Sequence, residues 1–122
     1  MRKSTKTIGD MGESIAEDYL LKQGYKILER NFRADHYEVD IIAAHNHVLA
    51  FVEVKTSNST KFDQPLTWVD DRKQCYLGRC AEIFIDENEI RDMDCRFDVI
   101  VVNLTQRPAR VIHLKNAFWL DD

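Results

Sequence analysis

Asp40 and the triplet Glu53-Val54-Lys55 are the residues of this chain best placed to do chemistry together. They sit in two apolar segments, Tyr37 to Ala44 and Val48 to Lys55, joined through His45-Asn46-His47. The alternation reads as strand, tight turn, strand. Side chains alternate faces along a strand, so Glu38 and Asp40 share one face of the first, and Glu53 and Lys55 one face of the second. With Asn46-His47 as a two-residue loop, Asp40 falls opposite Glu53 and Glu38 opposite Lys55. Other even-length loops keep the shared face and shift the partners, whereas a one-residue slip sends the acids to opposite faces.

That grouping suits metal-assisted hydrolysis of a phosphodiester. Mg²⁺ is held by one or two carboxylates, with water and substrate phosphate oxygens completing its octahedron. Asp40 and Glu53 are the candidate carboxylate ligands, and the Val54 carbonyl is a candidate further oxygen. Lys55 would orient or deprotonate the attacking water and offset charge developing on the phosphate. Acid-base pairs across neighbouring strands also make up ordinary solvated sheet faces. Here, however, the strands carry Val, Ile, Leu and Phe on both faces, which predicts a sheet covered on both sides. Charges are seldom buried without partners, so acids clustered at the end of covered strands point to a metal or a substrate.

The elements that must position these groups follow the order αβββαββ, an α/β arrangement with a mixed sheet flanked by helices. Ile8 to about Gln23 reads as an amphipathic helix, with Met11, Ile15, Tyr19 and Leu20 inward and Gly24 as its stop. Glu13 falls in its first turns, where metal binding competes with a helix-dipole role. Tyr25 to Phe32 is a first strand. Thr56 to Pro65 is a polar loop beside the site. Thr67 with Asp70 resembles a capping box opening a helix to about Ile85, with Val69, Tyr76, Leu77, Cys80, Ile83 and Phe84 inward and Lys73 on another face, within reach of the site. An acidic loop then leads to a buried strand, Cys95 to Asn103, and an edge strand, Ala109 to Leu114. The runs ending at Val54 and Val102 are expected to be parallel neighbours across a right-handed crossover. Asp98, an acid in an apolar strand, is either a further site residue or a structural partner for backbone amides and an Arg; the structural role is favoured.

At 122 residues the chain fits one domain, 1–122, burying roughly two-thirds of its unfolded surface. Cys75, Cys80 and Cys95 are odd in number and lack Cys-x-x-Cys spacing, which reads as reduced, packed thiols in a cytoplasmic protein. No spacing supports a zinc site at His45 and His47. No apolar run follows the basic N-terminal residues, and no stretch is long enough to span a membrane.

The formal net charge of −4 argues against a nucleic-acid partner. Its distribution weakens that objection, since Asp86 to Asp94 alone carries five acids and one Arg. Setting that run and the four candidate site acids aside leaves a positive remainder. Candidate phosphate contacts are Lys3, Lys6, Arg30, Arg33, Lys61, Arg72 and Lys73. Trp68, Phe118 and Trp119 are candidates for stacking on unpaired bases, though aromatics at such places more often close a core.

An Asp followed by Glu-x-Lys on the next strand resembles the PD-(D/E)-x-K nucleases, which share the restriction-endonuclease-like core. More closely, the chain is similar to the YraN family of small bacterial proteins, which resemble archaeal Holliday-junction resolvases. The likeness runs through Gly9 to Glu13, Ala16, Tyr19-Leu20, Gly24-Tyr25, Ile27 to Arg33, Glu38 to Ala43, Phe51 to Thr56, Arg96 to Ile100 and Asn116 to Phe118. It implies metal and catalytic roles for Asp40, Glu53 and Lys55, with Glu13 completing the acidic site. Val39 departs from the Pro of the motif, and Tyr37 from the Gly that usually precedes Glu38, which alters the backbone freedom and access expected there. The resulting expectation is a Mg²⁺- or Mn²⁺-dependent endonuclease acting on DNA, selective for structure because no base-reading module is present. Paired cutting would need a homodimer. The alternatives are a nucleic-acid-binding module of the same fold without turnover, and a protein-interaction domain whose acids are solvated.

Overall fold

Helix α1 (Thr5–Lys22) opens the chain and is followed by three strands, β1 (Lys26–Ala34), β2 (Tyr37–His45) and β3 (Val48–Ser57). Helix α2 (Asp71–Glu87) leads to β4 (Asp94–Asn103) and β5 (Arg110–Leu114). The structure, a computed structural model, describes residues 5–58 and 70–118. The described strands form one sheet in the order β1-β2-β3-β4-β5, antiparallel except for the parallel pair β3 and β4. This is the expected αβββαββ arrangement, with α2 on the crossover between the parallel strands.

The β2–β3 turn sets the register of the site. Asn46 and His47 both take positive φ, 48° and 65°, the conformation a tight turn needs to match the twist of its strands. His45 therefore faces Val48, and the pairing runs back to Ile41 opposite Val52. The pairing ends there, and Asp40 and Glu53, the next residue on each strand, fall on the same face of the sheet.

The sheet is covered on both faces. Ile41, Val52 and Ile100 pack with Ala16 and Leu20 of α1, while Val39, Phe51 and Val99 pack with Leu77, Cys80 and Phe84 of α2. Phe51, fully buried, stacks on Phe97, and Phe97 on Phe118. Each such side chain contributes roughly 1.5–3 kcal/mol by leaving water.

Gly12, Ala16 and Leu20 form a buried row along α1, one turn apart. A Cβ at Gly12 would lie 1.8 Å from Thr56 Oγ1, so only glycine lets the first turns of α1 press onto β3. Gly24, at φ 92°, ends the helix, and the Tyr25 N–H donates back to the Leu20 carbonyl.

Several expectations change. The cap of α2 is Asp70, whose carboxylate accepts from the Lys73 amide; Thr67 and Val69 lie outside the described residues. The helix runs on to Glu87, so the acidic run begins inside it. Glu38 turns to Arg33 at 3.0 Å, because β1 on its other side offers a cation. Cys75 and Cys95 are exposed and only Cys80 is buried, since the first two lie off the packed faces of their elements. Among the described residues, no helix is long and apolar enough to cross a membrane.

Candidate active site

Asp40, Glu53, Lys55 and Lys73 converge on the α2 side of the sheet. Glu53 is only 5 % exposed. Its Oε1 lies 3.3 Å from Lys55 Nζ and 2.5 Å from Lys73 Nζ. Lys55 comes from the same strand face, two residues on, and Lys73 from the first turn of α2. The Val54 N–H donates to Asp40 Oδ2 at 2.8 Å, so the Asp40 carboxylate ties the separating ends of β2 and β3 together. Val54 thus meets Asp40 through its amide.

The negative charge here is incompletely offset. Burial, and then the neighbouring Glu53 charge, push the Asp40 carboxyl up to about 7, against the opposing pull of the Val54 amide and Lys73. Burial would lower the Lys73 ammonium, but its bond to Glu53 outweighs that and the group is held above its ordinary range. Burial also raises Glu13; Arg30 opposes this, and Asp10, Glu38 and Glu53 reinforce it.

Glu13 approaches from the first turns of α1, beside the close contact at Gly12. Arg30 stands 3.9 Å from it and 3.0 Å from Glu17. Asn31, with its amide nitrogen turned inward, donates to Glu13 at 2.9 Å and to Glu38 at 3.0 Å. Asn31 takes φ 52° between Arg30, opposite Ile41, and Phe32, opposite Val39, which puts it beside Asp40. Sequence reasoning assigned it no role. An Asn interrupting a strand is the one signal that pointed there, since Asn tolerates positive φ.

Among the described residues, no three His, Cys, Asp or Glu side chains group tightly enough to hold a metal by themselves. The donor set that fits a divalent ion is the pair Asp40 and Glu53. Two carboxylates are the number Mg²⁺ commonly takes from protein, and its charge would relieve the repulsion that raises Asp40. Glu13 borders this pair.

Of the other candidates for phosphate contact, Arg33 is ion-paired with Glu38 and Arg72 donates to the Tyr76 hydroxyl at 2.7 Å. Lys3, Lys61, Trp68 and Trp119, and the side chain of Lys6, lie outside the described residues. Asp98 is structural: 1 % exposed, it accepts from Arg96 at 2.8 and 2.9 Å, lies 2.7 Å from His113 Nε2, and accepts from the Asn116 amide. Arg96 also reaches the Tyr25 hydroxyl, and His113 the Tyr19 hydroxyl. This network joins β4, β5 and the end of α1. Arg96 and Asp98, two apart on one strand face, signalled half of it; His113 and the tyrosines carry no pattern in sequence.

A family model described as the uncharacterised protein family UPF0102 matches residues 12–102. The chain belongs to this family. UPF0102 is the YraN family whose motifs the sequence carries, and the matched span includes Glu13, Asp40, Glu53, Lys55 and Lys73. A UPF0102 protein of Trichlorobacter lovleyi is 45% identical over 97% of this chain and 94% of its own length. Another, from Caldanaerobacter subterraneus subsp. tengcongensis, is 41% identical over 93% and 95%. One from Clostridioides difficile is 40% identical over 94% and 99%.

Proposed function

We propose that the protein is a divalent-metal-dependent endonuclease acting on DNA, selective for structure in the manner of a junction resolvase. The observation that carries the reading is the pair of carboxylates, Asp40 and Glu53, held together on a covered sheet face with Lys55 beside them. Mg²⁺ or Mn²⁺ bound by that pair would supply Lewis acidity toward the phosphate and an acidified water. Asp40 is oriented by the Val54 amide and Glu53 by the two lysines. Lys55 places its Nζ beside Glu53, where it would offset charge developing on a phosphate oxygen and orient or deprotonate the attacking water. Lys73 steadies Glu53 and adds a second positive charge for the substrate.

One observation favours a binding module without turnover: Glu53 Oε1 already has two ammonium partners. The two readings separate on a panel of duplex, flap and four-way-junction DNA with Mg²⁺ or Mn²⁺. The nuclease reading expects cleavage by wild type, none by Glu53→Gln or Lys55→Ala, and retained or tighter DNA binding by Glu53→Gln as repulsion of phosphate falls. Metal affinity should survive Lys55→Ala. An absence of cleavage on every substrate, with DNA bound equally by all three proteins, would leave the binding module. Paired cutting of a junction further requires a homodimer, which sedimentation with and without junction DNA would detect.

A further inference from the structure

A cavity lies beside the acid pair and shares Lys73 with it. It is a cleft open to solvent, with a volume of about 390 Å³, lined by His36, Tyr37, Arg72, Lys73, Tyr76 and Leu77, with Glu38 and Asp70 at its edge. Its size falls in the roughly 300–1,000 Å³ span of ligand pockets. Tyr37, at the start of β2, and Tyr76, in the second turn of α2, stack with ring centres 4.2 Å apart and planes inclined by 27°. Arg72 bonds the Tyr76 hydroxyl and carries its guanidinium 5.9 Å from that ring's centre. Both rings remain partly exposed.

We propose that this cavity binds one unpaired nucleobase of the DNA substrate, stacked against the tyrosine pair, and so makes the protein selective for DNA with a displaced base. The inference rests on the nucleic-acid reading above and names the substrate feature that site would select. Three observations support it. The two rings cover each other's facing surfaces, and the outer face of the stacked pair would accept any base through its π-face. The charges are divided: Glu38, paired with Arg33, and Asp70, which caps α2, are carboxylates hostile to phosphate, whereas Arg72 and Lys73, held by Tyr76 and Glu53, are cations that a flanking phosphate would draw on. Lys73 also belongs to both places: it lines the cavity while its ammonium contacts Glu53. A base seated by the tyrosines therefore has its own phosphate led by Lys73 toward the carboxylates.

The test measures binding by the full chain in EDTA, where no metal-dependent cleavage occurs. The probes are a blunt duplex, the same duplex with a single bulged 2-aminopurine, and the same bulge with an abasic nucleotide. The bulged base should bind roughly 5- to 150-fold tighter than the abasic bulge, the range of one base stacked on an aromatic side chain, and its fluorescence should be quenched on binding. Tyr76→Leu should remove the preference and the quenching, and Tyr76→Phe should keep both. Equal affinity of wild type for the base and the abasic bulge overturns the inference, and so does quenching unchanged in a folded Tyr76→Leu protein. If that variant fails to fold, the comparison of the two bulges on wild type decides alone. Base preference without cleavage of any substrate supports the pocket and removes the nuclease reading. Metal-dependent cleavage with no base preference does the reverse, and failure to bind all three DNAs overturns the pocket.

Discussion

Asp40→Asn is expected to stabilise the protein while abolishing the proposed metal-dependent cleavage. In the folded chain burial and the Glu53 charge hold the Asp40 carboxyl at about 7, against an ordinary value of 3.8. The unfolded chain therefore releases this proton near pH 4, and the folded chain keeps it until near pH 7. Between those values the folded state binds more protons, so stability falls as pH rises across the window and levels off above it. At about 1.4 kcal/mol per pH unit, the whole shift corresponds to about 4 kcal/mol, which is a ceiling. An Asn side chain removes the charge but accepts a weaker bond from the Val54 amide, which returns about 1 kcal/mol or more. The net gain at pH 8 is therefore at most about 3 kcal/mol, an upper limit of roughly 9–15 °C in Tm for a domain of this size. Urea unfolding of both proteins from pH 4 to 8 measures it: the curves should meet near pH 4 and diverge toward pH 7. Mg²⁺ should raise the stability of wild type at pH 8 and not that of Asp40→Asn. A variant less stable than wild type at pH 8, or a gap independent of pH, would refute the reasoning, because the acid pair would then be well compensated.

Other expectations follow from the surrounding structure. Burial pushes Asp98 up, but the bonds from His113 and Arg96 outweigh it and hold the carboxyl below its usual range. Its stabilisation is thus present above about pH 4 and lost as pH falls through the lower folded value. Asp98→Asn should cost about 3–5 kcal/mol at pH 7 by leaving Arg96 without its counter-charge, with the difference from wild type shrinking below pH 4 in the same urea series. Lys73→Met removes a positive charge that lowers Asp40, so the Asp40 carboxyl followed by carbon NMR should titrate at higher pH; an unchanged titration would place Lys73 away from the pair in solution. Gly12→Ala should destabilise by about 1–3 kcal/mol, as overpacking does, and Thr56→Ala in the same chain should recover part of the loss, since it removes two of the three nearest clashing atoms. Thermal melts of the two variants decide this.

The register of the site was legible in sequence because it is a local property. Two alternating strands with an Asn-His turn between them leave Asp40 and Glu53 on one face, and the period of two admits no intermediate answer. The αβββαββ order was legible for the same reason, as was the stop of α1 at Gly24. What the sequence could not carry were contacts made between elements far apart in the chain. Lys73 was placed near the site by helix position, yet its hold on Glu53 depends on how α2 lies over the sheet. Glu38 has two flanking strands to choose from, and the tertiary arrangement gave it to Arg33 and Asn31 rather than to Lys55. Tyr37 and Tyr76 form one wall only because the start of β2 and the second turn of α2 meet, and His113 reaches Asp98 only because β5 pairs with β4. Alternation and turn chemistry act over a few residues and leave a periodic trace, whereas packing across tens of residues is decided by which covered faces fit, and leaves none.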